Sequence, residues 1–246
     1  MATVVIFGAT SAIAAAAARE WGAHGADLVL VGRDGAKLAA VGADLKARGC
    51  ARCVEVVGDL GKTHEHAAIW ARCLSASPAG FDVALVAYGS LPDQGAAERD
   101  PAVALGAIET NFTSVVGLLT LVSSAFEAQG RGTIAVISSV AGDRGRQSNY
   151  IYGAAKGGLS IFLAGLRNRL FRAGVHVVTV KPGFVATPMT AHLQHGPLFA
   201  SADGVGRGIV RACEARRDVV YLPWFWAPIM AVIRAVPECI FKRLRL

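Results

Sequence analysis

Short apolar runs alternate with glycine-bearing turns and helical stretches along most of the chain. Val4–Phe7, Asp27–Val31, Cys53–Val57, Val83–Val86, Thr133–Ser138 and Val175–Val180 are brief and rich in β-branched residues. They are nearly continuous in apolar character, which suits strands covered on both faces. Between them lie helical stretches at Ser11–Trp21, Ala36–Ala47, near His64–Cys73, at Pro101–Gln129 and at Tyr150–Arg172. Strand and helix in strict alternation predict an α/β fold: one Rossmann domain over residues 1–246, with a doubly wound parallel sheet and helices on both faces. No internal repeat, low-complexity linker or domain boundary interrupts the pattern.

Composition narrows the possibilities. Of 246 residues, 53% are hydrophobic and 17% charged, so a packed core is expected and disorder is not. Five cysteines at irregular spacing suggest reduced thiols in the cytoplasm. Cys50 and Cys53 form a lone C-x-x-C, better read as two small residues beside a strand than as half a zinc site. The histidines show no metal-ligand spacing, and no metal is expected. A strand-like run starts at Thr3 with no charged leader, and no run reaches the ~18 consecutive apolar residues of a spanning helix. Val219–Ile233 comes nearest in this reading. The net charge of +7 admits a nucleic acid, an anionic membrane or a phosphorylated ligand. Without a nucleic-acid motif or aromatic-basic interleaving, nucleic acid ranks last.

The turn after the first strand reads Gly8-Ala9-Thr10-Ser11-Ala12-Ile13-Ala14 and opens a helix. Such a turn lets a pyrophosphate rest on backbone N–H groups at a helix N-terminus. Ala12 and Ala14 stand where a dinucleotide fingerprint has glycine, which weakens the signal. At the end of the second strand, Gly32 replaces the acid that binds ribose hydroxyls in NAD-selective folds, and Arg33 follows. A guanidinium suits a 2′-phosphate, so NADP(H) is expected over NAD(H).

Ser139 precedes Tyr152-Gly153-Ala154-Ala155-Lys156. Tyr152 and Lys156 are four apart, so they share a helix face. A nearby ammonium is expected to lower the tyrosine pKa, making Tyr152 a general acid for a carbonyl oxygen that Ser139 also holds. This constellation resembles the short-chain dehydrogenase/reductase family. The resemblance runs from the first strand to about Thr190. It implies a nicotinamide-dependent oxidoreductase with four catalytic residues, Asn111, Ser139, Tyr152 and Lys156. It also implies a cofactor site of Gly8, Thr10, Ser11, Ala12, Ile13, Arg33, Asp59, Leu60, Tyr88, Gly89, Tyr152, Lys156, Pro182, Gly183, Val185 and Thr187. Asp59-Leu60 would meet the adenine, Asn111 would support a water in the proton relay, and Thr187 would lie near the carboxamide. The chain departs from the family at Val86-Ala87-Tyr88-Gly89, where N-N-A-G is usual, and in the glycine turn.

Four segments resemble a narrower group, the reductase half of the decaprenylphosphoryl-ribose 2′-epimerases: residues 84–89, 138–144, 189–193 and 240–246. That resemblance implies a 2-keto-pentose on a polyprenyl phosphate as substrate and a flavin oxidase as partner. Two features fit a lipid-linked sugar. Arg144 and Arg146 sit between Ser139 and Tyr152, where they could bind a phosphate. The tail at residues 219–246 is apolar and ends basic, as a peripheral membrane contact would require. Core packing as a strand and helix is the favoured account of the tail, and a solvated charged loop fits the two arginines as well. A homo-dimer or homo-tetramer through helices 101–129 and 150–172 is implied by family resemblance. Two rivals stand beside this reading: a soluble small-ketone or 3-ketoacyl reductase, and a dinucleotide-binding sensor or assembly subunit without catalysis.

Overall fold

The computed structural model describes residues 2–191, 194 and 196–244. The predicted strands and helices are all present. The first half runs β1 (Thr3–Phe7), α1 (Ala12–Ala23), β2 (Asp27–Gly32), α2 (Gly35–Ala47), β3 (Cys53–Val57), α3 (His66–Ala76) and β4 (Val83–Val86). A short α4 (Gln94–Ala97) follows. The long helix predicted at 101–129 is α5 (Pro101–Ile108) and α6 (Ser114–Gln129), joined by a π turn at Glu109–Thr113. The second half runs β5 (Gly132–Ile137), α7 (Tyr150–Phe171), β6 (Val175–Pro182), β7 (Val185–Ala186), β8 (Ala200–Ser201), α8 (Ala202–Glu214), β9 (Val219–Leu222), α9 (Trp226–Ala235) and α10 (Glu238–Phe241).

The main sheet has seven parallel strands in the order β3-β2-β1-β4-β5-β6-β9. The sequence pattern accounts for six of them. The seventh, β9, comes from the apolar tail and pairs with β6 from Thr179↔Val219 to Pro182↔Leu222. The tail therefore begins as the edge strand of the sheet. Two buried layers cover the sheet, one built around Val5, Phe7, Leu118 and Leu163, the other around Val4, Ile6, Leu30 and Ile209.

Local chemistry places the helix starts. Ser11 caps α1, its Oγ accepting from Ala14 N at 3.5 Å, and Asp34 caps α2 by accepting from Lys37 N at 3.0 Å. Asp100 accepts from Ala102 N at 2.8 Å, with Pro101 at the first position of α5. The segment 101–129, not 219–233, is the stretch long and apolar enough by length and composition to cross a membrane. In this fold it packs beside α3 and α7 in the helical layer.

The β1–α1 crossing and the β4 turn meet closely. Gly8 has φ +84°, and a side chain there would put its Cβ 2.7 Å from the backbone N of Tyr88. Only glycine meets both demands. Cys50 is buried, its thiol near the Ala26 and Arg52 carbonyls, and Cys53 opens β3. Burial raises both thiol pKa values, that of Cys53 to about 11. No metal-holding group of His, Cys, Asp or Glu occurs among the described residues.

Candidate active site

One cleft of about 1260 Å³ opens at the C-terminal ends of the central strands, where open α/β sheets bind ligands. Every residue assigned above to the cofactor or to catalysis lines it. At one end are the Gly8 turn, Arg33 at the end of β2, and Asp59 with Leu60 after β3. At the other are Ser139, Tyr152, Lys156, Pro182, Gly183, Val185 and Thr187. The volume exceeds the usual ~300–1,000 Å³ of small-ligand pockets, as a dinucleotide with a substrate beside it requires.

At the cofactor end much of the surface is backbone. The N-terminus of α1 faces the cleft, with Thr10, Ser11, Ala12 and Ile13 on its wall. Asp59 is turned inward on its own loop, its Oδ1 accepting from Gly61 N at 3.0 Å. Arg33 is exposed and has no ion pair or hydrogen bond among the described residues. Asp34, next to Arg33, is committed to capping α2 and pairs with Lys37.

At the catalytic end Asn111 is fully buried in the π turn. Its Nδ2 donates to the carbonyls of Ser90 and Ala107, both at 2.9 Å, and its Oδ1 accepts from Ser90 N at 3.1 Å. This ties the turn after β4 to the long helix. Gly89 sits between Asn111 and Lys156: a Cβ there would lie 2.6 Å from Asn111 Oδ1 and 3.7 Å from Lys156 Nζ. π turns within helices often mark functional positions. Tyr88, which stands at the alanine of the family's N-N-A-G pattern, packs over Gly8 and pairs its phenol with Ser114 Oγ at 3.2 Å.

Ser139 lies two residues past β5. It caps the turn at Val140–Gly142, its Oγ accepting from Ala141 N at 3.1 Å. Tyr152 and Lys156 occupy one face of α7, with Nζ 5.8 Å from the Tyr152 ring centroid. Nζ donates to the Ile137 carbonyl at 2.9 Å. Burial governs both groups. It pushes Tyr152 up to about 12, partly opposed by a hydrogen bond with Ser139, and pulls Lys156 down to about 8. In this structure burial sets the direction for the phenol, and the hydrogen bond that opposes it comes from Ser139.

The loop between Ser139 and α7 corrects one assignment. Arg144 does not face the cleft. Its guanidinium donates to the carbonyls of Arg234 (3.2 Å) and Val236 (3.1 Å) and to Glu238 (2.7 Å), and stacks 4.1 Å from the Phe241 ring centre. It closes the C-terminal end of α9, where carbonyls lack helical partners and attract cations. Its neighbour Asp143 is held by Lys181 and by the Tyr221 hydroxyl, which donates at 2.7 Å. The loop after Ser139 is thus fastened to β6, β9 and the tail. Trp226 and Met230 pack under the same region, with Val140 and beside Phe184. Arg146, in contrast, does line the cleft.

Residues 90–95 and Ser148 also line the cleft and escaped the sequence reading. Their position after β4 and before α7 was the available signal, since loops at strand C-termini carry such sites. His192, Leu193, Arg245 and Leu246, parts of the narrower resemblance, lie outside the described residues.

A model of the short chain dehydrogenase family matches residues 2–197. An uncharacterised oxidoreductase of Mycobacterium tuberculosis is 36% identical over 243 residues, spanning 99% of this chain and 97% of the relative. Another, from Streptomyces coelicolor, is 33% identical over 243 residues, with 98% and 95% covered. Among solved structures, a short-chain dehydrogenase from Sphingobium yanoikuyae in complex with NADPH superposes with a TM-score of 0.82 at 24% identity, over 97% of each chain. The actinorhodin polyketide ketoreductase with NADPH gives 0.81 at 23% identity, over 90% of this chain and 95% of that one. At such identities the structural likeness speaks for the fold.

Proposed function

Because the chain belongs to the short-chain dehydrogenase family of NAD(P)-dependent oxidoreductases, we propose that it reduces a ketone to an alcohol with NADP(H), Tyr152 acting as general acid. The observation that carries this is the convergence of Asn111, Ser139, Tyr152 and Lys156 at one end of a cleft whose other end presents an uncommitted Arg33. When bound, the nicotinamide supplies the hydride. Tyr152 hands its proton to the carbonyl oxygen, and Ser139 donates a hydrogen bond to that oxygen. A tyrosine whose pKa is raised to about 12 stays protonated at neutral pH, which is the state that reduction consumes. Lys156 places a positive charge behind Tyr152 that favours the tyrosinate left after transfer. Asn111 holds the turn at Tyr88–Ser90 in place beside that lysine.

NADP(H) is favoured because Gly32 offers no carboxylate to the ribose and Arg33 is free to grip a 2′-phosphate bidentately. Two solved neighbours carry NADPH, in keeping with this. The substrate reading splits in two. A 2-keto-pentose on a polyprenyl phosphate, with a flavin oxidase supplying the ketone, is supported by Arg146 alone on the loop before Tyr152. A soluble ketone or 3-ketoacyl thioester is supported by fold alone. The surface adds two expectations. Exposed Trp224, Val232 and Ile240 beside Lys242 and Arg243 suit a peripheral contact with anionic lipid at the inner membrane face. Exposed Leu105 on α5 and Ile161 and Phe171 on α7 suit self-association. Liposome co-sedimentation of Trp224→Ser and light scattering of the native chain test each in turn.

The deciding experiment follows NADPH oxidation over a panel of ketones, including the polyprenyl-phosphate keto-pentose, in wild type and Tyr152→Phe. Turnover that falls by roughly 10²–10⁴-fold in the variant, with NADPH binding retained, supports the mechanism. NADPH binding without turnover of any ketone turns the reading to a dinucleotide sensor.

A further inference from the structure

Two arginines stand two residues apart on the loop that leads from Ser139 to α7, and they meet opposite surroundings. Arg144 is saturated by the tail. Arg146 lines the cleft on the side of Ser148, Asn149 and Tyr152, and no carboxylate lies within 4.0 Å of it among the described residues. Its Nε is shut off from solvent and donates to nothing. Burial alone moves its pKa, downward, with no opposing anion.

A second unsatisfied group lies beside it. Asn149 stands at the start of α7, and its Oδ1 is buried without a partner. It does not cap the helix; in the first turn of α7 the Ile151 N–H donates instead to Gln94 Oε1 at 3.5 Å. The acids that share the cleft are otherwise engaged. Asp93 caps α4 by accepting from Ala96 N at 2.7 Å, and Asp59 accepts from Gly61 N.

A buried donor or acceptor without a partner costs about 1–3 kcal/mol, and a desolvated charge costs more. Both residues line the cleft, and a small shift of either side chain towards a ligand that supplies an anion to the guanidinium and a donor to the amide oxygen would satisfy both atoms. We infer that the ketone reduced here carries an acidic group, a carboxylate or a phosphate ester, gripped by Arg146, and a hydroxyl or N–H that donates to Asn149. This rests on ketone reduction at Tyr152 and names the class of its substrate. A guanidinium binds either anion through paired N–H donors. Soluble and lipid-linked phosphates share that chemistry.

The test compares matched pairs of ketones with NADPH saturating, so that its own 2′-phosphate is already bound. The pairs are acetoacetate against ethyl acetoacetate, and dihydroxyacetone phosphate against dihydroxyacetone. The polyprenyl-phosphate keto-pentose in detergent forms a separate arm, and its preference over both soluble acids would assign the phosphate to a lipid. Wild type should favour the charged member by tenfold or more in kcat/KM. That ratio should collapse towards one in Arg146→Gln and be partly kept in Arg146→Lys. A wild-type ratio near one, or a ratio unchanged in Arg146→Gln, overturns the inference even if reduction itself stands. Calorimetric titration of inorganic phosphate into the NADPH complex of Tyr152→Phe gives a readout free of turnover. Binding that weakens tenfold or more when Arg146→Gln is added supports the site, and binding unchanged by it removes the site whether or not any ketone is reduced.

Discussion

At the Gly8 end of the cleft the wall is chiefly backbone, set by a glycine at φ +84° and the start of α1, and held by contacts within β1, β2 and β4. At the Arg146 end the wall is a loop of side chains whose position depends on Asp143 and Arg144 gripping β6, β9 and the tail. The first end is local and generic, as a dinucleotide shared by many enzymes demands. The second is assembled from distant pieces, and there the chain has freedom to select a substrate. The two ends should therefore respond independently to perturbation.

The largest separation is expected at Arg33. Arg33→Ala should lower kcat/KM for NADPH by roughly 10–100-fold through loss of a charge-assisted pair, and leave NADH nearly unchanged. Steady-state kinetics with both cofactors measure it, and an equal loss for both would mean that Arg33 supports the loop and not the 2′-phosphate.

Next in size is the response to pH. Lys156, held near 8, loses its charge as pH rises through that value. Tyr152, at about 12, remains protonated throughout this window. The rate of ketone reduction should therefore fall above pH 8, by up to about tenfold per unit, and the NADPH affinity set at the Arg33 end should not follow it. Unfolding is not the cause expected. Between about 8 and the ordinary lysine range the unfolded chain binds a proton that the folded one has released, so this group's contribution to stability rises with pH. A pH–rate profile flat to 10 would show that the charge on Lys156 is not needed.

Arg144→Met tests the clamp. It leaves the Arg234 and Val236 carbonyls without their donor and should cost about 1–3 kcal/mol. Thermal melts should shift down by about 2–4 °C per kcal/mol. Reduction should slow several-fold as the Ser139 loop loosens, with NADPH binding kept. A loss of NADPH binding to the same degree would join the two ends into one unit. The smallest effect belongs to Ala12→Gly. Removing one methyl beside the pyrophosphate position should tighten NADPH by a factor of two or three in a fluorescence titration, at a cost in stability below about 1 kcal/mol. No change would mean that Ala12 already clears the cofactor.

What could be read from the chain and what could not divide along the same line. The strands announce themselves because a sheet covered on both sides needs unbroken apolar runs, as in Thr3–Phe7 and Val83–Val86. The Tyr152–Lys156 pair is readable because a helix repeats its face every fourth residue. The tail was ambiguous because apolar residues serve a core, a membrane or both. Val219–Leu222 became the seventh strand, Trp226 and Met230 went inward, and Trp224 stayed out at 76% exposure. Nor could the sequence separate Arg144 from Arg146, identical residues in one glycine-containing loop.

By itself, then, the sequence determined the alternating architecture and the glycine turn with its arginine, and it marked Ser139, Tyr152 and Lys156 as candidates, since each depends on spacing within a few residues or on a strand's position in the order. Tertiary structure decided the rest: which arginine was spent on a helix end ninety residues away, and the burial that moved Tyr152 and Lys156 in opposite directions from their ordinary pKa values. Those outcomes depend on which distant groups come into contact and how much water they lose, and neither quantity is carried by local spacing.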